Sequence, residues 1–157
     1  MEKFHKKFLR MQFICSGISN AVLNALAFYL GNRAMKPLAW PDVAVDAFIT
    51  CGFVSLLVTL PTAYFTGKAI KAGLPLLPPV KWLNRLPRKK WKLWLFLWFF
   101  SALIVVTILA AVYELGNITS IAFGTMLIAR FAWCGLLGGV FGILVGARYL
   151  QPETIAR

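Results

Sequence analysis

The sequence predicts an all-α integral membrane protein with four transmembrane helices, arranged as two tandem helical hairpin repeats of parallel orientation. Composition is the first observation: 60% of the 157 residues are hydrophobic, the mean hydropathy is +0.75, and only five residues are acidic. An internal repeat is the second, because SGISNAVLNALAFYLGN (16–32) returns 85 positions later as SALIVVTILAAVYELGN (101–117). A repeat of two spans keeps both copies in the same orientation, so the axis that relates them runs along the membrane normal.

Four segments reach the roughly 17–25 apolar residues that a helix needs to cross a bilayer core of about 30 Å. We predict spans at 11–30, 47–67, 93–113 and 121–149. The first two-helix hairpin then covers residues 1–72, a basic and Pro-rich loop covers 73–92, and the second hairpin covers 93–157. Four prolines in the loop exclude one continuous helix there, and only a short turn near 80–86 is predicted.

Lysine and arginine are distributed unevenly around the predicted spans. Fourteen of the seventeen precede span one, lie between spans two and three, or lie at or beyond the end of span four, and the other three are Arg33, Lys36 and Arg130. Cytoplasmic flanks of membrane proteins accumulate positive charge. We therefore predict that both termini and the central loop are cytoplasmic.

The net charge of +12 could indicate either nucleic-acid binding or membrane topology. The basic residues flank hydrophobic spans and no recognition motif accompanies them, so we predict no nucleic-acid partner. In the central loop, cations alternate with tryptophan and leucine, a pattern typical of segments that contact anionic lipid headgroups. The residues predicted to make this contact are Lys81, Trp82, Arg85, Arg88, Lys89 and Lys90.

The sequence lacks the usual catalytic and metal-binding patterns. It has no GxSxG, no HExxH and no phosphate-binding glycine loop, and its one histidine, His5, lies in the basic N-terminal segment. Cys15, Cys51 and Cys134 all fall inside predicted spans, where we interpret them as small buried hydrophobic residues. We predict neither an enzyme nor a bound cofactor or metal.

The carboxylates outside the terminal tails are Asp42, Asp46 and Glu114, and all three map to the outer side. In the second helix of each copy the repeat offset is 83, since FITCG (48–52) matches FAWCG (131–135), and Arg130 therefore lies at the depth of Asp46. A charge within a span is costly unless it is paired or reaches water. We expect Arg130 to pair with Asp46 or with Glu114; the alternative is that it extends to the outer headgroups.

Two amides lie deep in span one. Asn20 and Asn24 are four residues apart on one helix face, where the second copy has Val105 and Leu109. Amides in a bilayer need hydrogen-bond partners, so both should face other helices, a neighbouring subunit or a wet cavity. Hydroxyl residues that would line such a cavity are Ser16, Ser19, Ser55, Thr59, Thr62 and Thr66. The predicted substrate or ion pathway consists of Asn20, Asn24, Asp46, Glu114 and Arg130.

Span four contains a glycine stripe, within CGLLGGVFGILVG (134–146). Glycines four residues apart on a helix let another backbone approach closely. The approaching helix could be span two of the same chain or span four of a second copy, and we favour a homodimer because four helices offer little internal contact area. The predicted packing or oligomer interface consists of Gly135, Gly138, Gly139, Gly142 and Gly146.

The stretch AVDAFITCGFVSLLVTLPTAYFTGKAI (44–70), with a proline ahead of a basic end, resembles a widespread two-helix bacterial inner-membrane domain of unknown function that also occurs as a tandem pair. The four-helix architecture is also similar to that of the proteobacterial antimicrobial compound efflux transporters. Their Arg-x-x-His opening and their glutamate in the first helix have no counterpart in this chain. The first resemblance implies a location in the bacterial inner membrane and a multi-pass topology. The second implies only the four-helix architecture.

Two classes of function are consistent with these features. The first is an oligomeric transporter or permeation unit for a small solute or ion, in which the amides and the charged cluster are the polar elements. The second is a non-transporting membrane scaffold or an accessory subunit of a larger complex, with the glycine-rich fourth helix as its docking surface.

Overall fold

The computed structural model describes residues 2–32 and 36–152, with the side chain of residue 2 excepted. Arg33 and Arg157, which contributed to the charge asymmetry, lie outside the described residues. The elements in chain order are α1 (Glu2–Gly31), β1 (Leu38–Ala39), α2 (Trp40–Lys71), α3 (Lys81–Arg85), α4 (Lys90–Gly116), β2 (Ser120–Ile121) and α5 (Phe123–Tyr149).

Helices α1, α2, α4 and α5 are each long and apolar enough to cross a membrane, which confirms the predicted all-α, four-span membrane protein. α1, α2 and α4 extend beyond the predicted spans at both ends. The reason is that hydrophobicity marks the part of a helix within the hydrocarbon core, whereas the backbone continues its hydrogen bonding through the headgroup region. The turn predicted in the central loop corresponds to α3.

Neighbouring helices in the bundle are not neighbours in the sequence. α1 packs along α5, α4 packs along α2, and α2 and α5 meet at the centre. α1 makes few close backbone contacts with α2, and α4 makes almost none with α5. The first helix of each repeat copy therefore packs on the second helix of the other copy. The two hairpins are repeats of the chain, but neither is a packed unit by itself.

The two loops at one end of the bundle pair as a short antiparallel ladder. Leu38 lies opposite Ile121, and Ala39 lies opposite Ser120. Leu38 and Ile121 are also repeat equivalents at the offset of 83, so the ladder is centred on the axis that relates the two copies. We call this the strand end of the bundle. The opposite end, which holds the central loop, is the basic end.

The glycine stripe of α5 is covered by α1, and not by α2 or by a second copy as the sequence led us to expect. A Cβ atom added at Gly138 would lie 2.8 Å from the carbonyl oxygen of Ser16, and one at Gly142 would lie 2.7 Å from another carbonyl oxygen of α1. Gly17 contributes from the α1 side, because its added Cβ would lie 3.0 Å from the carbonyl oxygen of Gly135. The interleaving of the copies is the physical reason, since it brings α1 rather than α2 onto this face.

The remaining glycines of the stripe also face α1, at different distances. A Cβ atom added at Gly139 would lie 2.7 Å from the ring of Phe13. One added at Gly146 would lie 3.4 Å from the side chain of Leu9. Because α1 covers the glycine stripe, the stripe is not free to contact a second copy. The homodimer stays a prediction, and its contact surface would have to be another face of the bundle.

The second interface between the copies, α4 on α2, uses large side chains where α1 uses small ones. A Cβ added at Gly52, the repeat equivalent of Gly135, would lie 2.9 Å from the indole ring of Trp98. The indole of Trp94 donates a hydrogen bond to the carbonyl oxygen of Gly52 at 3.1 Å, and Trp98 donates to that of Phe48 at 2.9 Å. Flat rings fill the wider gap between these helices.

The central loop folds against the basic end of the bundle. The ring Nε2 of His5 donates to the carbonyl oxygen of Pro75 at 2.7 Å, and the backbone N–H of Val80 donates to the side-chain oxygen of Gln151 at 2.7 Å. Arg148 is buried and donates to a loop carbonyl at 2.9 Å. These contacts satisfy loop backbone groups that have no helix or strand partner.

The six residues predicted to contact lipid headgroups lie between the start of α3 and the first residue of α4, and all are exposed. α3 turns Leu83 into the protein, where it is 4% exposed, and turns Trp82 outward, where it is 57% exposed. Exposed cations next to an exposed indole at the end of a membrane bundle are typical of an interfacial segment.

Replacing Gly142 with Ala should lower the free energy of unfolding by about 1–3 kcal/mol, because the added methyl group meets rigid backbone of α1. Gly67→Ala in α2 is the matched control. A Cβ at Gly67 meets nothing within 4 Å, so this change should stabilise the protein by about 0.5–1 kcal/mol through helix propensity. Denaturant unfolding in detergent micelles measures both, and equal effects would contradict close packing at the stripe.

Candidate functional site

A buried ion pair joins α2 and α5 near the strand end. The Nη1 atom of Arg130 donates to the carboxylate of Asp46 at 2.5 Å, and Nη2 donates to the hydroxyl of Thr50 at 2.5 Å. The ring of Phe28 in α1 packs against the guanidinium, with 4.8 Å between the ring centroid and the central carbon. Arg130 thus pairs with the first of its two expected partners and does not extend to the headgroups.

The repeat explains why these two residues meet. α2 and α5 are equivalent helices that run in the same direction and touch at the central axis, so residues of similar repeat position lie side by side. Asp46 precedes by one residue the equivalent of Arg130. Glu114, by contrast, is exposed at the strand end, and its side chain forms no ion pair with the described residues.

The two members of the pair differ in their access to water. The side chain of Arg130 is 7% exposed, and that of Asp46 is 24% exposed. The cation is therefore enclosed by a carboxylate, a hydroxyl and an aromatic ring, while the carboxylate keeps one face open. Enclosure by opposite charge and hydrogen bonds is what makes a buried charge tolerable in a membrane.

The open face of Asp46 borders a cleft of about 590 Å³ at the strand end, between the end of α1 and the start of α2. We call this cleft the vestibule. Its polar and charged lining consists of Asn32, Lys36, Asp42 and Asp46. A volume of this size lies within the range of about 300–1,000 Å³ that is typical of small-ligand sites.

Between Asp46 and the basic end, α2 carries five buried hydroxyl groups, of which the first lies on the helix face of Asp46 and the other four lie on the far side of the helix. Each of these residues is at most 2% exposed, and they are Thr50, Ser55, Thr59, Thr62 and Thr66. Ser55 donates to the carbonyl oxygen of Gly52 at 2.9 Å. The hydroxyls of Thr59 and Thr66 have no hydrogen-bond partner within the described part of the chain. An unpaired hydroxyl is costly where neither protein nor water satisfies it.

α1 carries buried amides of its own, and one hydrogen bond links them to the α2 hydroxyls. Asn24 and Asn20 are 4% and 2% exposed, and each donates from Nδ2 to the carbonyl oxygen four residues earlier, at 3.0 Å and 2.8 Å. About two helical turns from Asn20 toward the basic end, the side-chain oxygen of Gln12 accepts a hydrogen bond from the hydroxyl of Thr62 at 3.4 Å. We call the two sets together the polar seam: Gln12, Asn20, Asn24, Thr50, Ser55, Thr59, Thr62 and Thr66.

Most members of the polar seam were candidates from the sequence, but three residues of the site were missed, and not every candidate belongs to the seam. Gln12 was missed, although it continues the four-residue spacing of Asn20 and Asn24. Thr50 was missed, although it lies one turn after Asp46. Phe28 carries no sequence signal, because an apolar residue in a membrane helix is unremarkable. Ser19, which was a candidate, is exposed and lies outside the seam.

Comparison with known proteins adds no relative to this description, since no family model, no curated protein and no solved structure matches the chain.

Replacing either member of the ion pair should destabilise the protein, but the two substitutions should lower the free energy of unfolding by different amounts. Asp46→Asn leaves the enclosed guanidinium without a counter-charge, so we expect a loss of about 3 kcal/mol, at the low end of the range for buried pairs. Arg130→Gln should cost less, because the remaining carboxylate borders the vestibule. The double variant should lose less than the sum of the two. Unfolding in detergent measures all three, and strict additivity would show that the pair does not couple α2 to α5.

Proposed function

We propose that the protein is a translocation unit for a small solute or ion in a bacterial inner membrane. In this proposal the vestibule faces the periplasm, and both termini and the central loop face the cytoplasm, in keeping with the basic residues around them. One observation carries the proposal. The vestibule ends at a carboxylate, and buried hydroxyl and amide groups of α2 and α1 lie between the level of that carboxylate and the opposite end of the bundle.

A purely structural helix contact does not call for such a seam. Apolar side chains would pack α1 and α2 at least as well, and they would leave no hydroxyl unpaired. The second copy illustrates the alternative, because the repeat equivalents of Asn20 and Asn24 are Val105 and Leu109. The polar groups of the first copy therefore support a pathway that water or a polar solute occupies during a transport cycle.

Phe28 and Arg130 form the barrier between the vestibule and the seam. Phe28 is 2% exposed, stacks on Phe123 with 5.3 Å between ring centroids, and lies one turn from Asn24. A proton or cation that enters the vestibule competes with Arg130 for Asp46. Loss of the ion pair loosens the contact of Arg130 with α2, and a shift of Phe28 then connects the vestibule to the seam. In this proposal the two states of the switch are the one in which Arg130 is paired with Asp46 and the one in which the pair is separated.

The alternative function, a scaffold or accessory subunit, relied on the glycine stripe as its docking surface. α1 covers that stripe, so no observation on the described residues favours this alternative. Docking of a partner on another face stays a prediction.

Asp46→Asn should reduce flux at least tenfold in sealed proteoliposomes. The substitution removes the carboxylate that, in this proposal, releases Arg130 and binds the incoming proton or cation. The probes are protons, followed with entrapped pyranine, and radiolabelled rubidium and methylammonium. Thr59→Val, which removes an unpaired hydroxyl of the seam while keeping its shape, should also lower the flux. Glu114→Gln removes an acid at the same end of the bundle outside the vestibule lining, and should leave the flux unchanged.

Flux of all three probes at the level of protein-free vesicles would contradict the proposal. So would equal flux in the wild type and the Asp46→Asn variant, once both are shown to be folded and inserted at the same density.

A further inference from the structure

The first turns of α1 carry exposed cations on the helix face that, further along, faces lipid. Lys3, Lys7 and Arg10 follow each other at four and three residues, a spacing that places them on one side of the helix. We call these three residues the basic stripe. Ile14 and Ile18 continue the same face and are 44% and 61% exposed. The basic stripe therefore ends where the exposed apolar surface of α1 begins.

An apolar groove between α1 and α5 begins about one helical turn beyond Arg10. It has a volume of about 440 Å³ and is lined by residues within 13–21 of α1 and 131–136 of α5. Gly17 and Gly135 belong to this lining and are in close contact, so no side chain of either residue covers the junction of the two helices. The groove exists for this reason, and it opens toward the lipid that surrounds the bundle.

The groove lies at the depth of one leaflet, the leaflet at the basic end. From residue 13 to residue 21 the α1 axis rises about 12 Å. Half of a hydrocarbon core of about 30 Å is about 15 Å. The groove thus occupies the half of the first span that is nearer the basic end, with the basic stripe at its outer edge. A molecule that fits both has a charged part and an apolar part about one leaflet long.

The charge around the outer edge of the groove selects an anionic headgroup. α1 contains no acidic residue from Lys3 onward, and α5 contains none. A zwitterionic headgroup would bring its ammonium group to a surface of cations, whereas basic residues at a membrane surface attract anionic lipid.

The second interface between the repeat copies provides an internal comparison. Residues 132, 135 and 136 of the groove correspond, at the offset of 83, to residues 49, 52 and 53 of α2. Those three line a cleft of only about 200 Å³ between α2 and α4, where the indoles of Trp94 and Trp98 pack beside Gly52. The protein's own side chains fill the space at that interface, whereas the groove between α1 and α5 stays open to a ligand.

We propose that the groove binds one anionic phospholipid from the leaflet at the basic end, with its phosphate at Arg10 and Lys7 and one acyl chain along the groove. Lys3 adds a third positive charge on the cytoplasmic side of the phosphate. The cations and the apolar lining follow one another along a single helix face, in the order in which a phospholipid joins its headgroup to its chain. The site shares no residue with the vestibule or the polar seam, so it does not depend on translocation.

The test is photo-cross-linking of the full-length protein in phosphatidylcholine vesicles that contain an increasing fraction of a lipid with a diazirine in its acyl chain. The probe is phosphatidylglycerol or, for comparison, phosphatidylcholine with the same chains. Labelling of residues 13–21 and 131–136 by the phosphatidylglycerol probe should saturate. At low probe fractions it should exceed labelling by the phosphatidylcholine probe about tenfold, because the cations attract the anionic headgroup. Both leaflets contain the probe, so the orientation of the reconstituted protein does not affect the result.

A charge variant tests the basic stripe. Lys3→Gln, Lys7→Gln and Arg10→Gln together should remove the preference for phosphatidylglycerol. The matched control removes two lysines and one arginine from exposed positions of the central loop and should keep the preference; its substitutions are Lys81→Gln, Arg85→Gln and Lys89→Gln.

A second variant tests the groove itself. Ala132→Phe places a ring in the groove and should abolish the saturable labelling. Ala111→Phe is its control, because Ala111 is an exposed alanine of α4 outside the groove lining, and it should label as the wild type does. Thermal unfolding of each variant in detergent establishes that it is folded before it is compared.

Equal labelling by the two probes in the wild type overturns the proposal. An equal loss of preference in the two charge variants also overturns it, because the cations would then act only through the general surface potential. Saturable labelling that persists in Ala132→Phe overturns the placement of the chain in the groove. Cross-links that join two copies through residues 13–21, without saturable lipid labelling, assign the groove to a second copy and overturn the proposal as well.

Discussion

The structure depends on one constraint: a guanidinium that lies inside a membrane bundle must be enclosed by groups that balance its charge. Arg130 meets this constraint with Asp46 and Thr50 from α2 and with the ring of Phe28 from α1. Three helices therefore converge on one side chain. The ion pair links α5 to α2, lies at the edge of the vestibule, and packs against Phe28 of α1. Separation of the pair would remove contacts that involve all three helices, and for this reason the proposed function treats the pair as a switch.

The two repeat copies share a backbone plan and differ in the chemistry they place on it. Where the first copy has amides, a carboxylate and a hydroxyl, the second has Val105, Leu109, Ala129 and Trp133. A duplicated hairpin related by an axis along the membrane normal presents two equivalent surfaces to one bilayer. The first copy places polar groups at this position of the fold, and the second places the wall of an apolar cleft there. Arg130 lies between the two, because it borders the cleft and pairs with Asp46 at the edge of the vestibule.

Interleaving of the copies joins the two hairpins into one bundle. Each first helix packs on the second helix of the other copy, so removing one copy would strip the other of most of its helix–helix contacts. The two interfaces are built differently. Glycines at 17, 138 and 142 allow α1 to lie against the α5 backbone, while Trp94 and Trp98 fill a wider gap between α4 and α2. Close backbone packing is favoured in membranes, where burial of apolar side chains provides little driving force for helix association.

Length, hydrophobicity and repetition in the sequence determined the four spans, the parallel orientation of the two hairpins and the short turn in the central loop, because these depend on local composition. The offset of 83 also placed Asp46 and Arg130 at one depth, and the spacing of Asn20 and Asn24 placed them on one face. Only the tertiary structure decided which helix covers the glycine stripe, because small residues on α1 and on α2 are equally compatible with it. The same holds for Phe28 and Trp98, whose roles arise from what lies beside them: an aromatic residue in a membrane span has no distinguishing pattern until its neighbours on other helices are known. The sequence by itself thus determines the elements and their depth, and the pairing of helices around the axis determines which side chains meet.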